Sequence, residues 1–161
     1  MTCIMPRYHP PSPDSSDTHP FARKHILLVD DDPGLRATAA FLLVQEGHEV
    51  KQANDGRQAL QMVLSSDNGN NCYDLIITDV LQPNFSGLEL LKNMRARGIL
   101  IPVLVIAGFL DAAIIEKLYA MKPLKFILKP FNNKDFIGYV KEIISADLQH
   151  KTQQGELPCR T

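Results

Sequence analysis

Along this chain the apolar positions form short runs, separated by segments in which they recur every three or four residues. Ile26 to Val29, closing on Asp30, is long enough for a buried strand. The period then changes. Asp32 suits an N-cap, Pro33 the first turn, and Leu35, Ala39, Leu42 and Leu43 return on one helix face until Gly47 ends it. Glu49 to Ala53 predicts a weaker strand, placed at a sheet edge because Lys51 and Gln52 interrupt it. Asp55 opens a second helix carrying Ala59, Leu60, Met62, Val63 and Leu64. After the loop SSDNGNNC, the run DLIITD gives a third strand, Asp74 to Asp79. Ser86 caps a helix with Leu88, Leu90, Leu91 and Met94 on its apolar side. PVLVIAG reads as a fourth strand, and Asp111 starts a helix to about Met121. Leu124 to Leu128 is a fifth strand, followed by an amphipathic helix from about Asn133 to Asp147.

Strands that alternate with helices require crossover connections, which are right-handed and give a parallel sheet covered on both faces. The predicted class is α/β, with five strands and five helices. Outside this pattern, residues 1–23 are a Pro/Ser/Asp/His mixture with little to bury, and 149–161 are polar; both are expected to be tails. Ligands in such folds collect beyond the carboxyl ends of the strands, where strand order switches.

Composition narrows the picture. With 161 residues there is room for one domain with a sizeable core, and a net charge of −1 exerts no overall pull on nucleic acid or an anionic membrane. The longest apolar stretch, Ile99 to Leu110, is broken by Pro102 and Gly108 and is too short to span a bilayer. No secretory signal is visible, and Cys3, Cys72 and Cys159 lack metal-type spacing, so a reduced cytoplasmic setting is expected. His9 and His19 fall in the first tail; His25 and His48 need no role, and His150 is expected to be exposed.

One local pattern calls for chemistry. Asp30, Asp31 and Asp32 follow a buried run directly, and two carboxylates about 4 Å apart repel by roughly 4 kcal/mol at a protein surface. Helix capping accounts for Asp32. If the first and third strands are neighbours, Asp30 and Asp31 meet Asp79, and the fifth strand delivers Lys129 to the same edge. An all-oxygen set with one lysine suits a hard cation such as Mg²⁺ (or Mn²⁺), which can bridge to a phosphoryl group. The alternative is that the two free aspartates are simply solvated.

The segments LLVDDDP, DLIITDVLQPNFSGLELL and FILKPF, in this order and spacing, resemble the receiver domain of bacterial two-component response regulators. The likeness covers residues 24–148 and implies a flavodoxin-like, doubly wound (βα)5 fold. It also implies that Asp79 accepts a phosphoryl group from a sensor histidine kinase or histidine phosphotransfer protein. Asp30, Asp31, Asp79 and the backbone carbonyl of Leu81 would hold Mg²⁺, Lys129 would contact the phosphoryl group, and the Lys129–Pro130 bond is often cis in such domains. With no output domain visible after the last helix, signalling is expected through protein contact, by a monomer or weak dimer with no turnover activity.

Several positions bear on switching and output, most of them departures from the family pattern. Ala107 stands where a Thr or Ser hydroxyl normally reaches the phosphoryl group, and Phe126 at the place of the aromatic that turns inward on activation. Gln82 replaces a common methionine, and Lys122–Pro123 a small Gly–Ala turn; both are expected near the fourth helix and fifth strand, the face relatives use for output. Apolar Leu81 and Phe109 flank Asp79 and are expected to slow hydrolysis of its acyl phosphate. Three rival readings stand beside this one. A receiver that binds partners without phosphorylation is suggested by Ala107. A haloacid-dehalogenase-type phosphatase would use Asp30 and Asp32 as its Asp-x-Asp, but would want Thr or Val where Gly34 lies. A flavodoxin lacks support because no Ser/Thr/Gly-rich loop follows the first strand.

Overall fold

The computed structural model describes the backbone of residues 23–66, 73–82 and 85–154, and side chains as far as 146. Five strands alternate with five helices: β1 (His25–Val29), α1 (Pro33–Gln45), β2 (Glu49–Ala53), α2 (Gly56–Ser66), β3 (Leu75–Asp79), α3 (Gly87–Ala96), β4 (Val103–Ala107), α4 (Ala112–Tyr119), β5 (Leu124–Leu128) and α5 (Asn133–Gln154). The strands pair in parallel in the order β2-β1-β3-β4-β5. The predicted α/β architecture is present, with the interrupted strand β2 at the edge.

Alternation along the strands builds two cores. Leu27, Val29, Ile76, Val103, Val105 and Ala107 face α2, α3 and α4, represented by Ala59, Val63, Leu90, Leu91, Met94 and Leu118. Ile26, Leu28, Leu75, Ile77, Leu104 and Ile106 face Ala40 and Leu43 of α1 and Phe136, Val140, Ile143 and Ile144 of α5. Both faces are therefore dry, which is why the central strands read as unbroken apolar runs.

The helix starts follow the caps expected of them. Asp32 Oδ1 accepts from the amides of Gly34 and Leu35, Asp55 from Gln58, and Asp111 from Ile114; Ser86 and Glu89 form a capping box. Gly47, at φ 88°, takes the left-handed conformation that ends α1.

Two expectations are corrected. Leu35 is half exposed; it lies in the first turn of α1, ahead of Ala40 and Leu43, where the helix beds on the sheet. The last helix continues beyond Asp147 to Gln154, taking in residues 149–154 of the expected tail. Its amphipathic pattern fades there, but no glycine or proline occurs before Gly155, and Leu, Gln and Lys sustain a helix by propensity. Residues 1–22, 67–72, 83–84 and 155–161, with all three cysteines, lie outside the described residues.

Candidate functional site

Strand order reverses between β1 and β3, and their register, Val29 opposite Thr78, sets Asp30 and Asp31 beside Asp79. Asp30 is buried, and its Oδ1 accepts from the Asp32 amide at 2.8 Å; Asp31 is exposed. Asp79 has both oxygens engaged. Its Oδ1 accepts from the Leu81 amide at 2.8 Å and its Oδ2 from Lys129 Nζ at 2.8 Å. Lys129 reaches this point because its own amide donates to the Ala107 carbonyl at 2.7 Å, tying the end of β5 to the end of β4. The Lys129–Pro130 bond is cis, as the resemblance implied, and so is Lys122–Pro123.

The electrostatics register the crowding. Burial pushes the Asp30 carboxyl above the usual carboxylate range; the Asp32 amide and Lys129 counter this, while Asp79 and Asp31 add to it. Burial alone would lower Lys129, but its bond to Asp79 and the charges of Asp79, Asp30 and Asp31 outweigh that and hold its pKa above the ordinary value. Three carboxylates thus face one ammonium, leaving a surplus of negative charge.

Neighbouring groups hold the acidic loops in place. Arg36, in α1, donates through NH1 to the Asp30 carbonyl at 2.6 Å and through Nε to Gln52 at 3.3 Å, joining the turn to β2. Gln82 is buried and donates through Nε2 to the Val29 carbonyl at 3.1 Å. Gln82 is thus not near α4 and β5, as expected from the sequence, but folds back onto the end of β1, with β3 and β4 between it and β5, where Nε2 finds the Val29 carbonyl. Gly87 lies so close to β3 that a Cβ would fall on the Asp79 carbonyl oxygen and within 2.9 Å of Thr78 Oγ1. At Gly56 a Cβ would meet the Phe85 carbonyl at 2.8 Å, so α2 abuts the segment that follows Asp79. Arg36 had no signal beyond helical spacing in the sequence. Gln82 had one, its departure from methionine.

The donor set fits a hard divalent cation. Among the described residues no three His, Cys, Asp or Glu side chains form a ready-made cage. Mg²⁺ does not require one: it keeps several waters and binds through one or two carboxylates together with a phosphoryl group. Asp30 and Asp31 supply carboxylates without nitrogen or sulfur competitors, and the surplus negative charge favours a cation over a further anion.

At the expected switch positions, Ala107 is fully buried in the α2–α4 core and its methyl offers no hydrogen bond. Phe126 is half-buried against that core and packs edge-on to Tyr119, with ring centroids 6.2 Å apart. Lys122 Nζ lies 5.6 Å from the Tyr119 ring centroid. Leu81 and Phe109, at 61% and 67% exposure, project into solvent.

Comparison with known proteins agrees with this geometry. The family model described as "Response regulator receiver domain" matches residues 26–141. The transcriptional regulatory protein FixJ of Azorhizobium caulinodans is 34% identical over 130 residues, covering 81% of this chain and 57% of FixJ. The chain spans about half the length of such full-length regulators. Among solved structures, the chemotaxis protein CheY4 of Vibrio cholerae superimposes with a TM-score of 0.67 at 27% identity, over 76% of this chain and 99% of that one. The response regulator TrrA of Thermotoga maritima, solved with Mg²⁺ and BeF, gives 0.64 at 28% identity, over 74% and 98%. The chain belongs to the response regulator receiver family of two-component signal transduction.

Proposed function

We propose that Asp79 is the phosphoacceptor of a Mg²⁺-dependent receiver comprising residues 24–148, charged by a sensor histidine kinase or histidine phosphotransfer protein. The observation that carries this reading is the direct bond of Lys129 Nζ to Asp79 Oδ2 within a surplus of carboxylates. The Leu81 amide orients the Asp79 carboxylate, so that Oδ2 is the oxygen presented to phosphorus. As the new O–P bond forms, the P–N bond to the donor imidazole breaks and its electron pair leaves with the ring. Lys129 exchanges Oδ2 for an oxygen of the arriving phosphoryl group, and positioning with charge neutralisation supplies the acceleration. Asp30, Asp31, Asp79 and the Leu81 carbonyl would hold Mg²⁺, which when bound neutralises charge on the phosphoryl oxygens.

The domain acts by protein contact in the cytoplasm, as a monomer or weak dimer, without turnover of small phosphate esters. Among the described residues no helix is long and apolar enough to cross a membrane. Intact mass after incubation with a small phosphodonor and Mg²⁺ tests the assignment. One added phosphoryl group on the wild type and none on Asp79→Asn is expected; equal addition to both would overturn it.

Ala107 favours a second reading, a module that binds its partner regardless of phosphorylation. A missing hydrogen bond to a charged group weakens the pull on a switch by about 1.5–3 kcal/mol. If the module reading holds, amide resonances of β4 and α4 stay in place on phosphorylation; a shift through both elements would exclude it.

A further inference from the structure

Gln82 is 6% exposed, and the two ends of its amide have different fates. Nε2 donates to the Val29 carbonyl, while Oε1 is buried with no hydrogen-bond partner among the described residues. A buried acceptor left unmade forfeits hydration without recompense, and most such groups in native proteins have a partner. The place of this one is informative. Val29 is the last residue of β1, immediately before Asp30 and Asp31, and Gln82 directly follows Leu81. The amide of Leu81 has turned to the Asp79 carboxylate instead of continuing the β1–β3 ladder. The Gln82 side chain therefore joins the two loops at the point where backbone pairing stops, one carrying Asp30 and Asp31 and the other Asp79 and Leu81.

We propose that Gln82 is a positioning residue for the divalent cation: Nε2 fixes the carboxyl end of β1, and Oε1 accepts a hydrogen bond from a water that the cation brings. A cation-held water is a strong donor, and Oε1 is an acceptor without a partner among the described residues, on the loop that carries Asp79. An apolar side chain at position 82 would fill the same space without either bond. The inference rests on the Mg²⁺-dependent receiver reading and deepens it.

The test uses the full chain and Mg²⁺ alone. Titration by calorimetry compares the wild type with Gln82→Met, an unbranched substitution of similar length, and a thermal melt without metal monitors folding. Outer partners of metal ligands are worth roughly tenfold to a hundredfold in affinity. The expected result is Mg²⁺ binding at least tenfold weaker in Gln82→Met, with its metal-free melting temperature equal or higher. In the wild type, the Gln82 side-chain NH₂ resonances should shift with the same midpoint as the Asp31 amide. Affinity within twofold of the wild type, or Gln82 resonances that ignore Mg²⁺, overturns the proposal while leaving the receiver reading intact. A wild type that binds no Mg²⁺ overturns both. A purely structural role would lower the metal-free melting temperature and leave affinity unchanged.

Discussion

The two ends of the sheet handle charge in opposite ways. At the amino end, cations are matched. Arg95 places its guanidinium on four backbone carbonyls, those of Ile99, Ile101, Met121 and Pro123, at 2.6 to 3.2 Å. Lys24, almost fully buried, pairs with Asp74 at 3.1 Å, and the other oxygen of Asp74 takes the His25 amide. At the carboxyl end, among the described residues, Asp30, Asp31 and Asp79 share Lys129. Each end also holds one buried atom without a partner among the described residues, His48 Nδ1 at the first and Gln82 Oε1 at the second. Charge at the amino end is spent on joining loops to strands. Charge at the carboxyl end is left unbalanced, and imbalance is what allows a ligand to add stability when it arrives.

That contrast predicts variants of opposite sign. The largest effect belongs to Arg95→Ala, which strips donors from four carbonyls and from the loops on both sides of β4. A loss on the order of 3 kcal/mol is expected in urea denaturation, with phosphorylation of the folded protein unchanged. A loss under about 1 kcal/mol would mean that solvent already satisfies those carbonyls. A smaller change, in the other direction, is expected of Asp30→Asn. Removing a buried carboxylate that burial and its acidic neighbours disfavour should stabilise the metal-free protein by about 1 kcal/mol while weakening Mg²⁺ binding. Destabilisation by that variant would show the acidic cluster to be structurally needed, and would erase the contrast.

The smallest effect is one of pH. Burial lowers the His48 pKa below its usual value, against Glu46 and Asp74, which raise it, and with Lys141 and Lys24. The unfolded chain therefore binds a proton there at higher pH than the folded one. Stability conferred by neutral His48 is complete above about pH 6.5 and declines as pH falls from there through the lowered folded value. His48→Leu should flatten the stability curve over that window, measured as urea midpoints at successive pH values. An unchanged slope would place the acid sensitivity elsewhere.

Much of this arrangement was legible in the sequence, and the parts that were not share a cause. The alternation of runs gives the element order. Lys51 and Gln52 mark the edge strand, because a strand buried on both faces tolerates neither. Asp30, Asp31, Asp79 and Lys129 stood out since each terminates an apolar run, so one assumption of strand adjacency brings them together. Arg95 offers no such signal, and Gln82 only its departure from a common methionine, which says nothing of what it touches. A polar side chain on a helix or loop reads as solvated, and only the tertiary arrangement reveals carbonyls waiting for a donor. His48 looked idle at a helix end for the same reason: its burial comes from elements far along the chain. The extension of α5 was missed because an amphipathic pattern records where a helix packs, not how far it runs.

The close approach of Gly87 to the Asp79 carbonyl has a practical corollary. The seven residues from Val80 to Ser86 begin and end at the same spot, with their two ends already held together by the fold. Lengthening a segment whose ends are fixed costs little, about 0.6 kcal/mol for each doubling. A spectroscopic tag or a short recognition peptide inserted after Gln82 would lie close to Asp79 in sequence and leave the Leu81 amide, the Gln82 side chain and the Gly87 approach in place. The receiver has, in effect, a mounting point for a reporter of its own state, provided that position 87 stays glycine.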